Sequence, residues 1–150
     1  MRNGARGEGL PGFVGAVASG SRDARRLAEW SRITEAWANE IARVECLRVL
    51  DRLRLSGAMD DRELARRRST MLELLSGVES IRLNRAVLER AADAFPTQIR
   101  TLDAIHLASA LLLSPRHSSL RLATHDEELG MAAQAVGLRV IGVPVRSASK

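Results

Sequence analysis

Three acidic side chains occupy positions where a carboxylate needs an explanation, and the first is Asp103. The segment TLDAIHLASALLLS is apolar almost all the way round as a helix, and its narrow polar stripe consists of Asp103, His106 and Ser109. A carboxylate near a helix N-terminus gains about 0.3–1 kcal/mol from the helix dipole. Burying that carboxylate costs more unless it is paired or binds a metal. The position therefore favours a functional role for Asp103.

Asp126 and Glu45 each have a structural explanation beside a functional one. Asp126 follows the strand-like segment LRLAT and opens a helix. It is therefore either a helix N-cap or a ligand-binding residue at the carboxyl end of a strand. Glu45 lies inside a helical segment, where an exposed ion pair with Arg48 or Arg52 is the simpler interpretation. Neither acid identifies a site when it is considered alone.

The remaining reactive residues narrow the chemistry to carboxylates and a metal. His106 could act as a base or a metal ligand, although a partly buried histidine bonded to Asp103 or to backbone is the simpler interpretation. The sequence contains no Cys/His spacing for zinc, no phosphate-binding glycine loop and no Gly-x-Ser-x-Gly elbow. Oxygen ligands suit Mg²⁺ or Mn²⁺. The single cysteine, Cys46, excludes an internal disulfide and fits a reducing, cytoplasmic compartment.

The elements that must position these acids alternate between helix and strand. Thr101 and Asn84 are predicted N-caps, and Gly57, Gly77 and Gly137 are predicted helix ends. Strands alternating with helices predict an α/β fold with a parallel sheet covered on both faces. The patterns predict helices over 23–37, 39–57, 60–77, 84–95, 101–114 and 126–137, and strands within 78–83, 120–124 and 138–143.

Composition limits the class of partner. The chain has 150 residues, enough for one domain with a real core, and a net charge of +5 that is almost entirely arginine against acid. This charge favours an anionic partner, with nucleic acid first, although an arginine-rich codon usage explains it equally well. Aromatic residues make up only 3% of the chain, which argues against RNA binding by base stacking. No apolar run approaches the roughly 18 residues of a membrane helix.

With these residues in view, the chain resembles the PIN-domain ribonucleases, specifically the VapC-type toxins of toxin–antitoxin pairs. The matching segments are NEIARVECLRVL, TLDAIHLASAL and THDEELGMAAQAVGLRVI, in the family's order and spacing, over roughly residues 23–143. Carried over by position, the family's second, third and fourth acids are Glu45, Asp103 and Asp126. Glu40 matches an acid often found just before the second.

The resemblance implies a PIN-like three-layer α/β/α sandwich around a central, mainly parallel sheet. It implies Mg²⁺- or Mn²⁺-dependent cleavage of RNA, with Glu45, Asp103 and Asp126 as catalytic and metal-binding residues. It also implies inhibition by a cognate antitoxin and assembly as a homodimer. Arg43, Arg48 and Arg100 are the candidates for RNA backbone contacts. A non-catalytic PIN-like module that binds an antitoxin or itself is the alternative.

The N-terminal segment departs from the family's pattern. The family begins with a hydrophobic strand ending in an aspartate, of the form YLDTSxLVK, whereas residues 1–21 hold six of the eleven glycines and no aspartate. We divide the chain into this atypical segment, a PIN-like domain over 22–146 and a tail over 147–150. Because glycine and Pro11 interrupt each apolar run, we expect no well-packed central strand in residues 1–21.

A shifted reading frame could explain this departure. When residues 9–22 are back-translated with suitable codons and read one base later, they give AYLDSSVLLRRVL, which resembles the family's first strand. We therefore hypothesise that residues up to about 21 derive from a frame shift, through a sequencing error or a pseudogene. The chain as written is then expected to bind Mg²⁺ weakly and to cleave RNA poorly or not at all, because one carboxylate is missing.

Overall fold

The structure, a computed structural model, describes residues 35–143 and the backbone of residues 13–15. Its five strands form one sheet in which every pair is parallel, in the order β3-β2-β1-β4-β5. This confirms the predicted α/β/α fold with a parallel sheet. The strands are β1 (Phe13–Gly15), β2 (Ala36–Asn39), β3 (Glu79–Ile81), β4 (Arg121–Ala123) and β5 (Arg139–Ile141).

Helices connect these strands. α1 and α2 lie between β2 and β3, α3 and α4 lie between β3 and β4, and α5 lies between β4 and β5. They are α1 (Glu40–Leu55), α2 (Asp61–Ser76), α3 (Arg85–Ala92), α4 (Thr101–Leu113) and α5 (Glu127–Ala135), with a short 3₁₀ helix at Ser114–Arg116. No helix among the described residues is long and apolar enough to span a membrane.

The strand order places a topological switch point between β1 and β4. From β1 the chain proceeds to β2 and β3 on one side, and it then returns to β4 and β5 on the other side. Gly15 pairs with Ala123, and Ala123 pairs with Ile141, so the carboxyl ends of these strands are level. In open parallel sheets, ligands bind outside the carboxyl ends of the strands at such a point.

The expectation that residues 1–21 lack a central strand is wrong. β1 lies in the middle of the sheet, with β2 on one side and β4 on the other. A parallel strand requires only that its backbone groups pair on both sides, and Phe13–Gly15 is long enough to do so. Gly12 and Gly15 bound this short run rather than interrupt it. No other residue of the 1–21 segment belongs to the described part of the chain.

The predicted helix over 23–37 is wrong at its carboxyl end. Its residues Ala36 and Trp37 belong to β2, and residues 23–34 lie outside the described part of the chain. Trp37 packs on the ring of His117 with the ring centroids 4.5 Å apart. Pairing with both β1 and β3 decides the conformation here, and it overrides an apolar spacing that also suited a helix.

The prediction of Asn84 as an N-cap is confirmed. Asn39, Asp60 and Asn84 cap α1, α2 and α3 by accepting a hydrogen bond from a backbone N–H three residues later. The prediction of Thr101 as an N-cap is wrong, because Thr101 is the first helical residue of α4. The residue at the cap position is Arg100, whose guanidinium has no acceptor for a backbone N–H and donates to two carboxylates instead.

α4 is the central helix of the core. Leu107, Ala108 and Ala110 on α4 are completely buried, as are Leu122 on β4 and Leu129 on α5. Burying a leucine side chain stabilises the fold by about 1.5–3 kcal/mol. The helix that carries Asp103 is therefore held rigidly, and its first turn is fixed at the carboxyl edge of the sheet.

One glycine secures the end of β4. Gly142 has a φ of +97°, and a Cβ on it would lie 2.4 Å from the carbonyl oxygen of Thr124. The backbone N–H of Thr124 donates to the carbonyl of Ile141, and the carbonyl of Gly142 lies 3.1 Å from Nδ1 of His125. Only glycine permits this close approach of the two chain segments, from one of which Asp126 projects.

Candidate active site

All three predicted acids line one cleft at the carboxyl edge of the sheet. Glu45 comes from α1, Asp103 from the first turn of α4, and Asp126 from the N-cap of α5. The cleft has a volume of about 730 Å³, which is within the range of sites for small ligands. Residues distant in the chain thus meet where the sheet topology predicts a ligand site.

Asp103 and Asp126 share one cation, the guanidinium of Arg100. Nε of Arg100 donates to Oδ2 of Asp103 at 3.2 Å, and Nη2 donates to Oδ2 of Asp126 at 2.8 Å. Oδ1 of Asp126 accepts the backbone N–H groups of Glu128 and Leu129. Asp126 is therefore the N-cap of α5 and also a member of the acidic pair, so the N-cap interpretation is confirmed and the ligand-binding one stays a prediction.

The pKa of Asp103 is raised above the usual value for an aspartate. Burial is the main cause, because its side chain is only 16% exposed, and the negative charge of Asp126 adds to it. The positive charge and hydrogen bond of Arg100 oppose this effect without cancelling it. The cleft therefore holds a carboxylate whose charge is incompletely compensated, as a site for a cation requires.

Glu45 is tied to His106 rather than to an arginine. Nε2 of His106 lies 2.7 Å from Oε2 of Glu45, and Nδ1 of His106 lies 3.0 Å from Nδ2 of Asn39. The simpler interpretation of His106, a bond to Asp103 or to backbone, is therefore wrong. The alternative ion pair of Glu45 with Arg48 is also wrong, because Arg48 bonds to Asp51.

The other predicted residues lie outside the acidic pair. Oε2 of Glu40 accepts the backbone N–H of Leu83, so this acid links α1 to the loop after β3. Of the three arginines considered for RNA contacts, Arg48 lines the cleft and Arg100 bridges its two aspartates. Arg43 lines a different groove, between α1 and β3.

The sequence analysis missed two polar residues beside the site. Asn39 is recognisable in the sequence as an N-cap before a helix, but its second contact, to His106, depends on the tertiary fold. Thr124 also lines the cleft, and its Oγ1 accepts the backbone N–H of Asp126. A threonine two residues before an aspartate is the local signal for such a turn.

Cys46 separates the cleft from a neighbouring groove. It lines both the acidic cleft and an apolar groove between α1 and α2, and it is only 4% exposed. Burial raises the pKa of its thiol, and the adjacent charge of Glu45 raises it further. The thiol is therefore a packing residue in the closed protein rather than a nucleophile.

The residues fit a hydrated divalent cation rather than a closed metal cage. Across the part of the chain that the structure describes, no three His, Cys, Asp or Glu side chains form a metal-binding group. Asp103 and Asp126 nevertheless supply carboxylate oxygens to one place, and Mg²⁺ is commonly held by one or two carboxylates together with water. Gly15 lies at the carboxyl end of β1, level with Ala123, and it has no carboxylate to contribute to the site.

A comparison with protein families agrees with this fold. The model of the PIN domain matches residues 13–134, which include β1 and all three acids of the cleft. The chain belongs to the PIN-domain family.

A curated relative narrows the comparison within that family. The chain is 36% identical over 104 residues to Ribonuclease VapC46 of Mycobacterium tuberculosis, and the match covers 69% of this chain and 71% of that protein. The resemblance to VapC-type members that the sequence predicts is thereby confirmed.

Proposed function

We propose that this protein is a metal-dependent endoribonuclease toxin of the VapC type. The observation that carries the proposal is that Asp103 and Asp126 both bond to the guanidinium of Arg100, in the cleft at the switch point of the sheet. Their carboxylates therefore lie close together. The similarity to a ribonuclease supports RNA as the substrate.

Asp103 and Asp126 are the residues that would hold Mg²⁺ or Mn²⁺ directly, and Glu45, which lines the same cleft, would bind the hydrated cation through water. When bound, the metal supplies a Lewis acid that activates water and neutralises charge on the phosphate. The carboxylates by themselves repel a phosphodiester, so the cleft needs a bound cation before RNA can enter. The rigid first turn of α4 and the capped start of α5 fix two of these carboxylates in advance.

The arginines of the cleft provide the contact with the RNA backbone. Arg48 lies on the exposed face of α1 beside Glu45, and Arg100 lies at the mouth of the acidic pair with 71% of its side chain exposed. Exposed arginines contact phosphates without regard to base sequence. The net charge of +5 supports the approach of a polyanion to this face.

We further propose that the protein acts in the cytoplasm with a cognate antitoxin and assembles as a homodimer, as the resemblance to VapC-type toxins implies. We propose as well that its activity is impaired, because β1 ends in Gly15 and contributes no acid. Cleavage then depends on the acids that line the cleft.

A non-catalytic PIN-like module is the second candidate. Two observations favour it: the described residues contain no group of three metal ligands, and Arg100 already compensates part of the charge of Asp103 and Asp126. Such a protein would bind an antitoxin or itself without cleaving RNA.

The test is cleavage of a 5′-labelled RNA by the purified chain in Mg²⁺, in Mn²⁺ and in EDTA. Asp103→Asn removes one acid of the cleft, and Asp93→Asn, an exposed aspartate outside it, is the matched control. The proposal predicts cation-dependent cleavage that D103N abolishes and D93N retains. No cleavage by the wild-type chain at any cation concentration would favour the non-catalytic module.

A further inference from the structure

Three polar side chains are buried together behind the acidic cleft. Asn39 and His106 are each 2% exposed, and Ser109 is completely buried. Their neighbours on α4, including Leu107 and Ala108, are core residues. Buried polar groups are costly unless each one is hydrogen-bonded, so the bonds within this group decide how its members are oriented.

The orientation of the Asn39 amide follows from its role as an N-cap. Oδ1 of Asn39 accepts the backbone N–H of Ala42, so rotating the amide by 180° would bring two donors together. Nδ2 must therefore face the other way, where it lies 3.0 Å from Nδ1 of His106 and 3.4 Å from Oγ of Ser109. The Ser109 hydroxyl donates to the carbonyl of Ile105, which leaves its oxygen free to accept.

The Asn39 amide in turn determines the tautomer of His106. Because Nδ2 is a donor, Nδ1 of the imidazole must accept and therefore carries no proton. A neutral histidine then holds its proton on Nε2, which donates to Oε2 of Glu45 at 2.7 Å. Both ring nitrogens are occupied, so His106 is available neither as a metal ligand nor as a base.

We propose that Asn39 and His106 are positioning residues that fix the carboxylate of Glu45 for cation binding. Glu45 has a flexible side chain that is 35% exposed, and Nε2–H of His106 fixes one of its oxygens while the other remains free. Second-layer hydrogen bonds of this kind orient ligands and tune affinity in metal sites. The functional part of this inference rests on the function proposed above, whereas the hydrogen-bond pattern does not.

The first arm of the test reads the tautomer directly. In ¹⁵N-histidine-labelled full-length protein, two-bond ¹H–¹⁵N correlation spectra distinguish a protonated ring nitrogen from an accepting one. The signals of His106 are assigned by their absence in His106→Gln. We expect Nδ1 of His106 to be unprotonated and Nε2 to be protonated. A proton on Nδ1, or rapid averaging between the two tautomers, would overturn the proposal.

Asn39→Asp and Asn84→Asp form a matched pair for this arm. Each keeps a good N-cap acceptor, and only Asn39 faces a histidine. N39D places an acceptor where Nδ2 was, so Nδ1 of His106 must gain a proton, whereas N84D must leave the His106 signals unchanged. An unchanged Nδ1 signal in N39D would contradict this chain of hydrogen bonds from Asn39 through His106 to Glu45, which we call the positioning relay.

The second arm measures cation affinity by calorimetric titration with Mn²⁺, beside RNA cleavage. A glutamine side chain reaches the place of Nε2 and can still donate to Glu45, whereas the shorter asparagine cannot. We expect His106→Asn to weaken Mn²⁺ binding ~10-fold or more and His106→Gln to weaken it less than ~3-fold. Equal affinities in folded H106N and H106Q, judged by melting curves, would overturn the proposal.

The two arms separate this inference from the proposed function. If the wild type binds Mn²⁺ and shows the expected tautomer but cleaves no RNA, the proposed function fails and the positioning relay stands. If the wild type cleaves RNA and H106Q and H106N bind and cleave alike, the relay fails and the proposed function stands. If H106N does not fold, the N39D spectrum still decides the hydrogen-bond pattern.

Discussion

Asp103 shows the conflict between stability and function in a single side chain. Its pKa is raised in the folded protein because burial and Asp126 disfavour the charge more than Arg100 supports it. Asp103→Asn removes that charge, so we expect the metal-free variant to be more stable by ~0.5–2 kcal/mol. For a chain of this size, 1 kcal/mol corresponds to about 2–4 °C in Tm. Melting curves in EDTA measure the gain, and a lower Tm for D103N would contradict it.

The same shift sets the pH dependence of that gain. Because the pKa of Asp103 is higher in the folded than in the unfolded protein, the folded state binds the proton more tightly. Protonation therefore stabilises the fold as the pH falls through the folded pKa, and the destabilising charge is fully present above it. We expect the Tm difference between D103N and wild type to be large at neutral pH and to shrink in acid. A difference that is constant with pH would show another cause.

Arg100 competes with any cation for Asp103 and Asp126. Its guanidinium bonds to both carboxylates, and its side chain is 71% exposed, so it can leave the pair at little cost. We expect Arg100→Gln to strengthen Mn²⁺ binding up to ~5-fold, the effect of removing an exposed ion pair. Arg85→Gln removes a more exposed ion pair, with Glu89, that does not line the cleft, and should leave the affinity unchanged. Weaker binding in R100Q would mean that the arginine helps to organise the site.

At the level of elements, the close approach of Gly142 to Thr124 joins the ends of β5 and β4. Gly142 and Gly57 both have positive φ, but a Cβ on Gly57 meets nothing within 4 Å, whereas one on Gly142 meets the carbonyl of Thr124. Gly57→Ala should cost ~1–2 kcal/mol for the left-handed backbone alone. Gly142→Ala should cost clearly more and should also weaken Mn²⁺ binding, since Thr124 leads into Asp126. Denaturant unfolding of both variants measures this, and equal losses would contradict it.

The helices were more predictable from sequence than the strands, for a physical reason. α1, α2 and α3 begin after Asn or Asp side chains that cap them, and these signals are local. β1 and β2 owe their conformation to pairing with strands distant in the chain. Such pairing leaves no local signal in a strand of three or four residues. The sequence patterns therefore predict no strand at β1 and assign part of β2 to a helix.

The candidate site divides in the same way. Asp103 and Asp126 were recognisable because each has an unusual local setting: an acid in an apolar helix and an acid after a strand. The partners that determine what they do, Arg100 on both aspartates and Asn39 behind His106, are set by the packing of α4 against β2 and α5. Sequence patterns identify the acids, and only the fold identifies their counter-groups.

At the scale of the whole molecule, the hypothesis of a shifted reading frame can be tested by restoring the family-like sequence at the N-terminal strand. The structure contains a central β1, so no strand is missing from the middle of the sheet. A carboxylate is still missing, because β1 ends at Gly15. Replacing residues 9–21 by AYLDSSVLLRRVL puts an aspartate at position 12, so the new strand must pair about three residues out of the present register to bring that carboxylate to the place of Gly15. In that register we expect higher Mn²⁺ affinity and more RNA cleavage. Full metal-dependent activity in the unrepaired chain would show that the acids of the cleft suffice.

The single thiol, that of Cys46, is buried where α1 meets both the cleft and the groove beside α2. Its rate of chemical labelling can therefore report how often the domain opens. Because Cys46 is only 4% exposed, a reagent such as a maleimide reaches it fastest when the packing around α1 opens, so the labelling rate reports these openings. A ligand that binds only the folded state must slow the labelling of Cys46, by ~100-fold at a ligand concentration 100 times its Kd. Mass spectrometry of intact protein would then report Mn²⁺, RNA or a partner protein at the cleft without any introduced probe. Labelling as fast as that of a free thiol would show that the closed state is rarely occupied.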